Sequence, residues 1–532
     1  METAVTAVRG IEMETRIPVA RDARRSTTAV RRGSGYVTAL VLLAMFITAE
    51  LCGNALGDFE PPPPPKPSRQ KAGEGLPPLP LPATPLRRSE KKREPAKPAL
   101  IGKIQYGKEM WMTTEDGRRY SYLDWQSDTT DLYHLLNFAN AKLGLNYRYI
   151  ETPLSNFSFN PAELPVLYFT GHEDFSFNEK ELQGLAWYLR DGGTLIGDAC
   201  CGAGNFSIAF TRNLKKIFPD QPFREIGPDD PLYHCYYEMH EVLYKEEGKA
   251  PYKAKPNLRG MYIGCRLAAI LSTHDVSCGW ARHEHPEGKR IDTEDAIKLG
   301  TNMITYILAN YQYAKAYCVQ KVYHEQNEAT REQFVFGQVI HGGDWDPNPT
   351  AVPNLLKHLS ANSTVDVQFT RAEVDLRKID VFKYPFIYMT GHNDFELTEQ
   401  EVTALRSYLR NGGVLLANPC CGRKAFDTAF RRELKKVFNE QALKPVPLEH
   451  PIFASLYKIE QVQYSDWLRE EKPGLTTPVF EGVSSGGQLC VIYTPYDLGN
   501  GWEGIPHPYS QGYSPQDALR LGSNIVVYSM TH

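Results

Sequence analysis

The sequence predicts an α/β protein made of two tandem three-layer sandwiches with mainly parallel sheets. Three observations predict it. First, the stretch from Pro165 to Phe218 returns from Pro385 to Phe438, with His172 matching His392, Gly192-Gly193 matching Gly412-Gly413, and Cys200-Cys201-Gly202 matching Cys420-Cys421-Gly422, each 220 residues on. A period this long duplicates a whole domain rather than a solenoid unit. Second, each copy alternates apolar runs of strand length with amphipathic segments of helical period, and crossovers of a dozen residues or more call for parallel strands. Third, PVLYFTG (165–171) and TLIGDAC (194–200) are nearly continuous apolar runs, the pattern of strands buried on both faces. Together these describe a flavodoxin-like sandwich, twice.

The chain has 532 residues, 42% hydrophobic and 23% charged, enough for more than one core. A formal net charge of −4 offers no basic surface for nucleic acid, which is excluded as a partner. Ten cysteines are too sparse for a disulfide scaffold. None lies in a spaced CxxC, so no structural zinc site is expected.

In order along the chain, residues 1–35 are polar and carry Arg16, Arg21, Arg24, Arg25, Arg31 and Arg32. The apolar run Tyr36–Ala49, extendable to Gly57 across Glu50, reads either as an export signal cleaved near Ala55-Leu56-Gly57 or as an uncleaved membrane anchor. Residues 58–100 are proline-rich and charged and bury no core, so they form an extended spacer.

The first domain covers 101–313. IQYGKEMWM and RRYSYLDW form a hairpin across TTEDG. DLYHLLNFANAKLG is a helix and NYRYIE a strand. NEKELQGLAWYLRDGG is a helix that places Leu182, Leu185, Tyr188 and Leu189 on one stripe and stops at Gly192-Gly193. After TLIGDAC, Phe206, Phe210, Leu214 and Ile217 mark another helix face, with Lys215 and Lys216 suiting its C-terminal dipole. MYIGCRLAAILST is a bent strand pair. A long helix closes the domain. Residues 314–330 connect it to the second domain, 331–532, where FVFGQVIHGGDW is the first strand, NLLKHLS a helix and VDVQFT the second strand. Past the central stretch the interval grows to 222, pairing Asp275 with Asp497, Trp280 with Trp502 and Asn302 with Asn524.

The runs YPFIYMTGH, LRNGG, FRRELKKVF, EHPIF and LRLGSNIVVY resemble the bacterial domain of unknown function family 4159. The resemblance covers nearly all of 331–532 and, more loosely, 101–313. The first copy departs from it with an extended start, Asp230 in place of His450, and a long loop from His240 to Leu258. It implies a fold similar to class I glutamine amidotransferases, export or membrane attachment, and no particular reaction.

Cys200 and Cys420 are the candidate nucleophiles. Each follows an apolar strand and precedes a helix, where the helix N-terminus favours a thiolate. His172 and His392 end the preceding core strand and are the candidate bases. The elbow is incomplete, since Asp198-Ala199 and Pro419 stand where a glycine is wanted, and no downstream His-x-Glu pair of the amidotransferase type is present. The adjacent cysteines are otherwise free thiol pairs, strained vicinal disulfides or soft-metal ligands. Asp174 and Asp394, with Trp125 and Trp345, lie beyond strand ends where open α/β sheets bind ligands. Trp125, Trp280, Trp345 and Trp502 recur in both copies and read either as the lining of a sugar or peptide groove or as core.

The resulting reading is an exported, membrane-tethered binding or scaffold module of the cell envelope, with no cofactor and an envelope protein or glycan as partner. Its alternative is a cysteine-dependent hydrolase or amidotransferase-like enzyme. His172 and Cys200, and likewise His392 and Cys420, are expected to leave one sheet edge, with Asp124-Trp125 and Asp344-Trp345 beside them.

Overall fold

The computed structural model describes residues 96–114, 116–283, 287–317, 333–438, 443–505 and 507–532. The N-terminal run, the anchor segment and nearly all of the proline-rich spacer lie outside the described residues, as does most of the connector. Among the described residues no helix is long and apolar enough to cross a membrane.

Both repeats form the same seven-stranded sheet. In the first, the strands in chain order are β1 (Ala99–Ile104), β2 (Arg148–Thr152), β3 (Val166–Gly171), β4 (Thr194–Ala199), β5 (Arg224–Glu225), β6 (Arg259–Ile263) and β7 (Arg266–Ser272), arranged β2-β1-β3-β4-β7-β6-β5. In the second they are β8 (Gly337–Val339), β9 (Ala372–Val374), β10 (Phe386–Gly391), β11 (Val414–Pro419), β12 (Lys444–Pro445), β13 (Glu481–Ser485) and β14 (Gln488–Tyr493), arranged β9-β8-β10-β11-β14-β13-β12. The five strands from β2 to β7 pair in parallel, and β6 folds back antiparallel onto β7. The duplication and the mainly parallel sheets expected from the sequence are therefore present.

Alternation along the central strands builds the three layers. Tyr168 and Ile196 join the cluster on one face, with Trp280 and Met303, while Leu167, Phe169 and Leu195 join the other, with Phe206 and Phe210. Burying each such side chain contributes about 1.5–3 kcal/mol. The helices α1 (Asp131–Leu143), α2 (Glu179–Arg190), α3 (Gly204–Ile217) and α4 (Thr293–Ala316) cover these faces, and α5 (Ala351–Asn362), α6 (Glu399–Arg410), α7 (Lys424–Phe438) and α8 (Pro515–Thr531) do so in the second repeat. Helices α2 and α6 begin with capping boxes, Asn178 with Glu181 and Thr398 with Glu401. They end on the glycine pairs for two reasons. Gly192 and Gly412 take positive φ, and a Cβ on Gly193 or Gly413 would meet the Tyr188 or Tyr408 ring at 2.3 Å.

Four local expectations are corrected. Ala99–Ile104 is a sheet strand, and the hairpin is confined to Glu109–Thr113 and Arg119–Leu123. Lys103 disguises the strand, because its charge is buried in a pair with Asp131 at 2.9 Å, far along the chain. The stretch from His240 to Leu258 is not a plain loop: Val242–Glu246 and Tyr252–Ala254 join Lys289–Ile291 in a three-stranded antiparallel sheet. The strand expected at VDVQFT falls at Ala372–Val374, while Val367 makes only an isolated bridge with Phe334. An edge strand has one neighbour, so alternation alone does not fix where pairing occurs. The closing helix of the first domain, expected over DTEDAIKLGTNMITYILANYQYA to Ala314, runs to Ala316.

Candidate functional site

Strands β3 and β4 are parallel neighbours with Gly171 opposite Ala199, and β10 and β11 match them with Gly391 opposite Pro419. His172 and Cys200 therefore leave the same edge of the first sheet, and His392 and Cys420 the same edge of the second, as expected. Immediately after β4 and β11 the backbone bends. Cys201 has φ 55° and ψ 16°, and Cys421 has φ 55° and ψ 13°. A left-handed conformation on a residue with a side chain is strained and persists only when its surroundings enforce it. A buried aspartate does so: the Cys201 N–H donates to Asp275 Oδ2 at 2.5 Å, and the Cys421 N–H to Asp497 Oδ2 at 2.6 Å. Asp275 also accepts from the Cys278 N–H at 2.8 Å.

Each histidine is fixed by an aspartate from the strand-end loop next door. The Asp124 carboxylate accepts from the backbone N–H groups of His172 and Glu173 and lies 3.2 Å from His172 Nδ1. Asp344 accepts from the His392 N–H at 2.8 Å and lies 2.5 Å from its Nδ1. Nδ1 is thereby engaged and Nε2 is left for another partner, the arrangement that orients metal-ligating imidazoles.

Three thiols gather at each site. Sγ of Cys200, Cys201 and Cys278, with a carboxylate oxygen of Asp275, lie within 4.8 Å of one another. In the second repeat the group within 4.8 Å is Cys265, Cys420, Cys421 and a ring nitrogen of His392. The third thiol arrives by different routes. Cys278 belongs to its own repeat, and its counterpart 222 residues on is Asn500. Cys265 comes instead from the β6–β7 turn of the first repeat, which packs against the second, and its Sγ lies 3.4 Å from Cys420 Sγ. Asp128, 3.3 Å from Cys278 Sγ, is likewise replaced by Asn348.

The electrostatics repeat as well. Hydrogen bonds from Cys200, Cys278 and His172 hold the Cys201 thiol far below its usual range, against the opposing effect of burial. Cys200 is pushed up by its bonds to Cys201 and Cys278 and by burial. Burial would lower the His172 imidazolium, but hydrogen bonds to Asp124 and Cys201 raise its pKa to about 10. Cys421 is lowered by Cys265 and Cys420, while burial raises Cys420. At both sites the second cysteine of the pair is lowered and the histidine raised. The sequence reading took the first cysteine of each pair. The structure gives the second one both the bent backbone and the lowered thiol.

The two sites differ in access. Cys201 is half-buried and the His172 side chain 27% exposed, whereas Cys420, Cys421 and His392 are all buried.

The other sequence candidates stand apart. Asp174 and Asp394 are exposed and pair with Arg212 and Arg432 of the following helices. Trp125 is buried beside Asp124, and Trp345 lies under the Arg371 guanidinium at 5.4 Å. Cys278, Cys265 and Asp128 were missed. Spacing along the chain does not register thiols that meet only in space. The usable signal was the set of positions where the two copies disagree.

These features define a duplicated α/β sandwich with a thiol–imidazole cluster at the C-terminal edge of each sheet. The chain belongs to the family described as domain of unknown function (DUF4159), whose model matches residues 117–308 and 335–530. No curated protein matches it.

Proposed function

We propose that this protein is a non-catalytic binding module of the cell envelope whose ligand is a soft metal ion, held at the open first-repeat site. The observation that carries this is the three-thiol cluster of Cys200, Cys201 and Cys278 beside an aspartate-oriented His172. Thiolates with imidazole select zinc(II) or copper(I) over harder ions. Partial exposure of Cys201 and His172 leaves the ion a route in and out.

The rival hydrolase or amidotransferase reading asks one thiolate to attack an acyl carbon while backbone N–H groups receive the oxyanion. At this elbow the Cys201 N–H is already committed to Asp275, and the Cys421 N–H to Asp497. An oxyanion there would meet a carboxyl group. Two further thiols per site also have no part in that chemistry.

Export rests on the basic N-terminus ahead of the apolar run Tyr36–Ala49. A reporter active only outside the cytoplasm, fused after residue 100, is expected to give signal. Signal from a cytoplasm-only reporter instead would remove the envelope placement and leave the metal chemistry untouched. For the metal itself, Cys278→Ser in the full chain should abolish binding of Zn²⁺ at the first site, read as loss of that site's ion by elemental analysis of dialysed protein. An unchanged ion content would contradict the proposal.

A further inference from the structure

We propose that the second site is a structural metal site that joins the two repeats, a Cys₃His set for a zinc-class ion formed by Cys265 of the first repeat with Cys420, Cys421 and His392 of the second. It rests on the same thiol–metal chemistry as the first site, but it assigns a different role and a different set of ligands.

Geometry comes first. In a tetrahedral site, sulfurs about 2.3 Å from zinc stand about 3.8 Å apart. The four ligand atoms here lie within 4.8 Å of one another, and the Cys265–Cys420 separation is 3.4 Å. Closing on an ion needs only small side-chain shifts. The imidazole supplies a second, independent sign. His392 is 7% exposed and held through Nδ1 by Asp344, and its Nε2 has no hydrogen-bond partner. A buried, oriented nitrogen left unsatisfied is costly unless something occupies it. The Asn500 amide suits a thiolate at Cys421, since its Nδ2 donates to Cys421 Sγ at 3.2 Å, while its Oδ1 accepts from the Cys265 thiol at 3.1 Å, a proton that a bound ion would displace.

The sequence differences between the repeats agree. At the equivalent turn the second repeat has Gly486-Gly487 and offers no thiol. Tyr262, three residues before Cys265, lies beside His392 with ring centroids 6.2 Å apart and has Ser484 as its counterpart. The first repeat is thus specialised to donate at this place and the second to receive. A disulfide between Cys265 and Cys420 would use two of the thiols and leave Cys421 and the His392 nitrogen without a purpose. A four-ligand ion uses all of them. Such a closed site also differs in kind from the first one, where Cys201 and His172 reach solvent.

The test loads the full chain with Co²⁺ and then Zn²⁺, for wild type, Cys265→Ser and Cys278→Ser. Wild type should show thiolate-to-cobalt charge transfer with tetrahedral bands and bind one ion at each site. Cys265→Ser should lose the second-site ion and keep the first, and Cys278→Ser the reverse. If Cys265→Ser retains all the metal while Cys278→Ser loses some, this inference fails and the first-site reading stands. The opposite pattern sinks the first-site reading alone. Because Cys265→Ser also touches the docked surface, a second measurement uses unaltered protein. Alkylation of zinc-loaded chain, read by peptide mass, should spare Cys265, Cys420 and Cys421 until a chelator is added. Equal labelling with and without chelator, or a Cys265–Cys420 disulfide in the protein as isolated, would overturn the proposal.

Discussion

Arg423→Ala should destabilise the full chain by about 3–5 kcal/mol, the cost of orphaning one partner of a buried ion pair. Arg423 Nη2 lies 3.0 Å from Asp230 Oδ2, with side-chain exposures of 9% and 3%. Asp230 also accepts from the Tyr262 hydroxyl and caps the turn Pro231–Tyr233 through the Leu232 N–H at 2.9 Å. Without the guanidinium, the carboxylate stays buried with two neutral donors and no countercharge. Beside the pair, Tyr306 of the first repeat stacks on Tyr509 of the second at 5.5 Å, so the same change loosens the docked surface that carries Cys265. Urea denaturation measures the loss, and the double variant Asp230→Ala with Arg423→Ala should recover part of it because the stranded charge is gone. A loss below about 1 kcal/mol, as for an exposed pair, would contradict the arrangement.

Trp502→Ala should cost about 3–5 kcal/mol, the range for emptying an aromatic site in a packed core. Trp502 is 1% exposed, and its Nε1 donates to the Ala518 carbonyl at 2.8 Å. Its ring packs against Tyr388 at 5.3 Å and Phe336 at 6.3 Å. Trp280 does the same in the first repeat, with its Nε1 on the Ala296 carbonyl at 2.8 Å, so Trp280→Ala should behave alike. The open choice between a ligand groove and core packing is settled for this pair by burial. Trp187, 65% exposed, is the control: Trp187→Ala should stay within about 0.5 kcal/mol of wild type. A Trp502→Ala loss as small as the control's would mean the ring does not hold the core.

How much of this was legible depends on how far the interacting residues lie apart in the chain. The central strands and helices were readable because their signals are local: apolar runs in PVLYFTG and TLIGDAC, capping residues before α2 and α6, glycines after them. The shared edge for His172 and Cys200 followed from two parallel strands joined by one helix. Strand β1 was not readable, because Lys103 is neutralised by Asp131 rather than by anything nearby. The ligand sets were not readable for the same reason. Cys278 and Cys265 reach their partners across the fold, and nothing near either one marks it as different from a buried thiol.

Comparison of the two copies would have revealed more than either copy alone. Asp230 faces Arg423, whereas their counterparts are His450 and Ala203. Cys265 and Tyr262 correspond to Gly487 and Ser484, and Cys278 and Asp128 to Asn500 and Asn348. Residues shared by both copies, such as the His–Asp pair and the two adjacent cysteines, build the common edge. Residues that differ mark where one copy meets the other. Asp198 fits this division from the other side. Its counterpart is Asn418, and burial and the nearby Asp275 push its carboxyl well above the usual carboxylate range, towards the neutral character of the amide.

The most direct measurement of the metal assignment is X-ray absorption at the zinc edge on the full chain, loaded with zinc and dialysed. The account predicts a first shell dominated by sulfur at about 2.3 Å with a nitrogen near 2.0–2.1 Å. A shell of oxygen and nitrogen alone, or a protein that retains no zinc after dialysis, would contradict it.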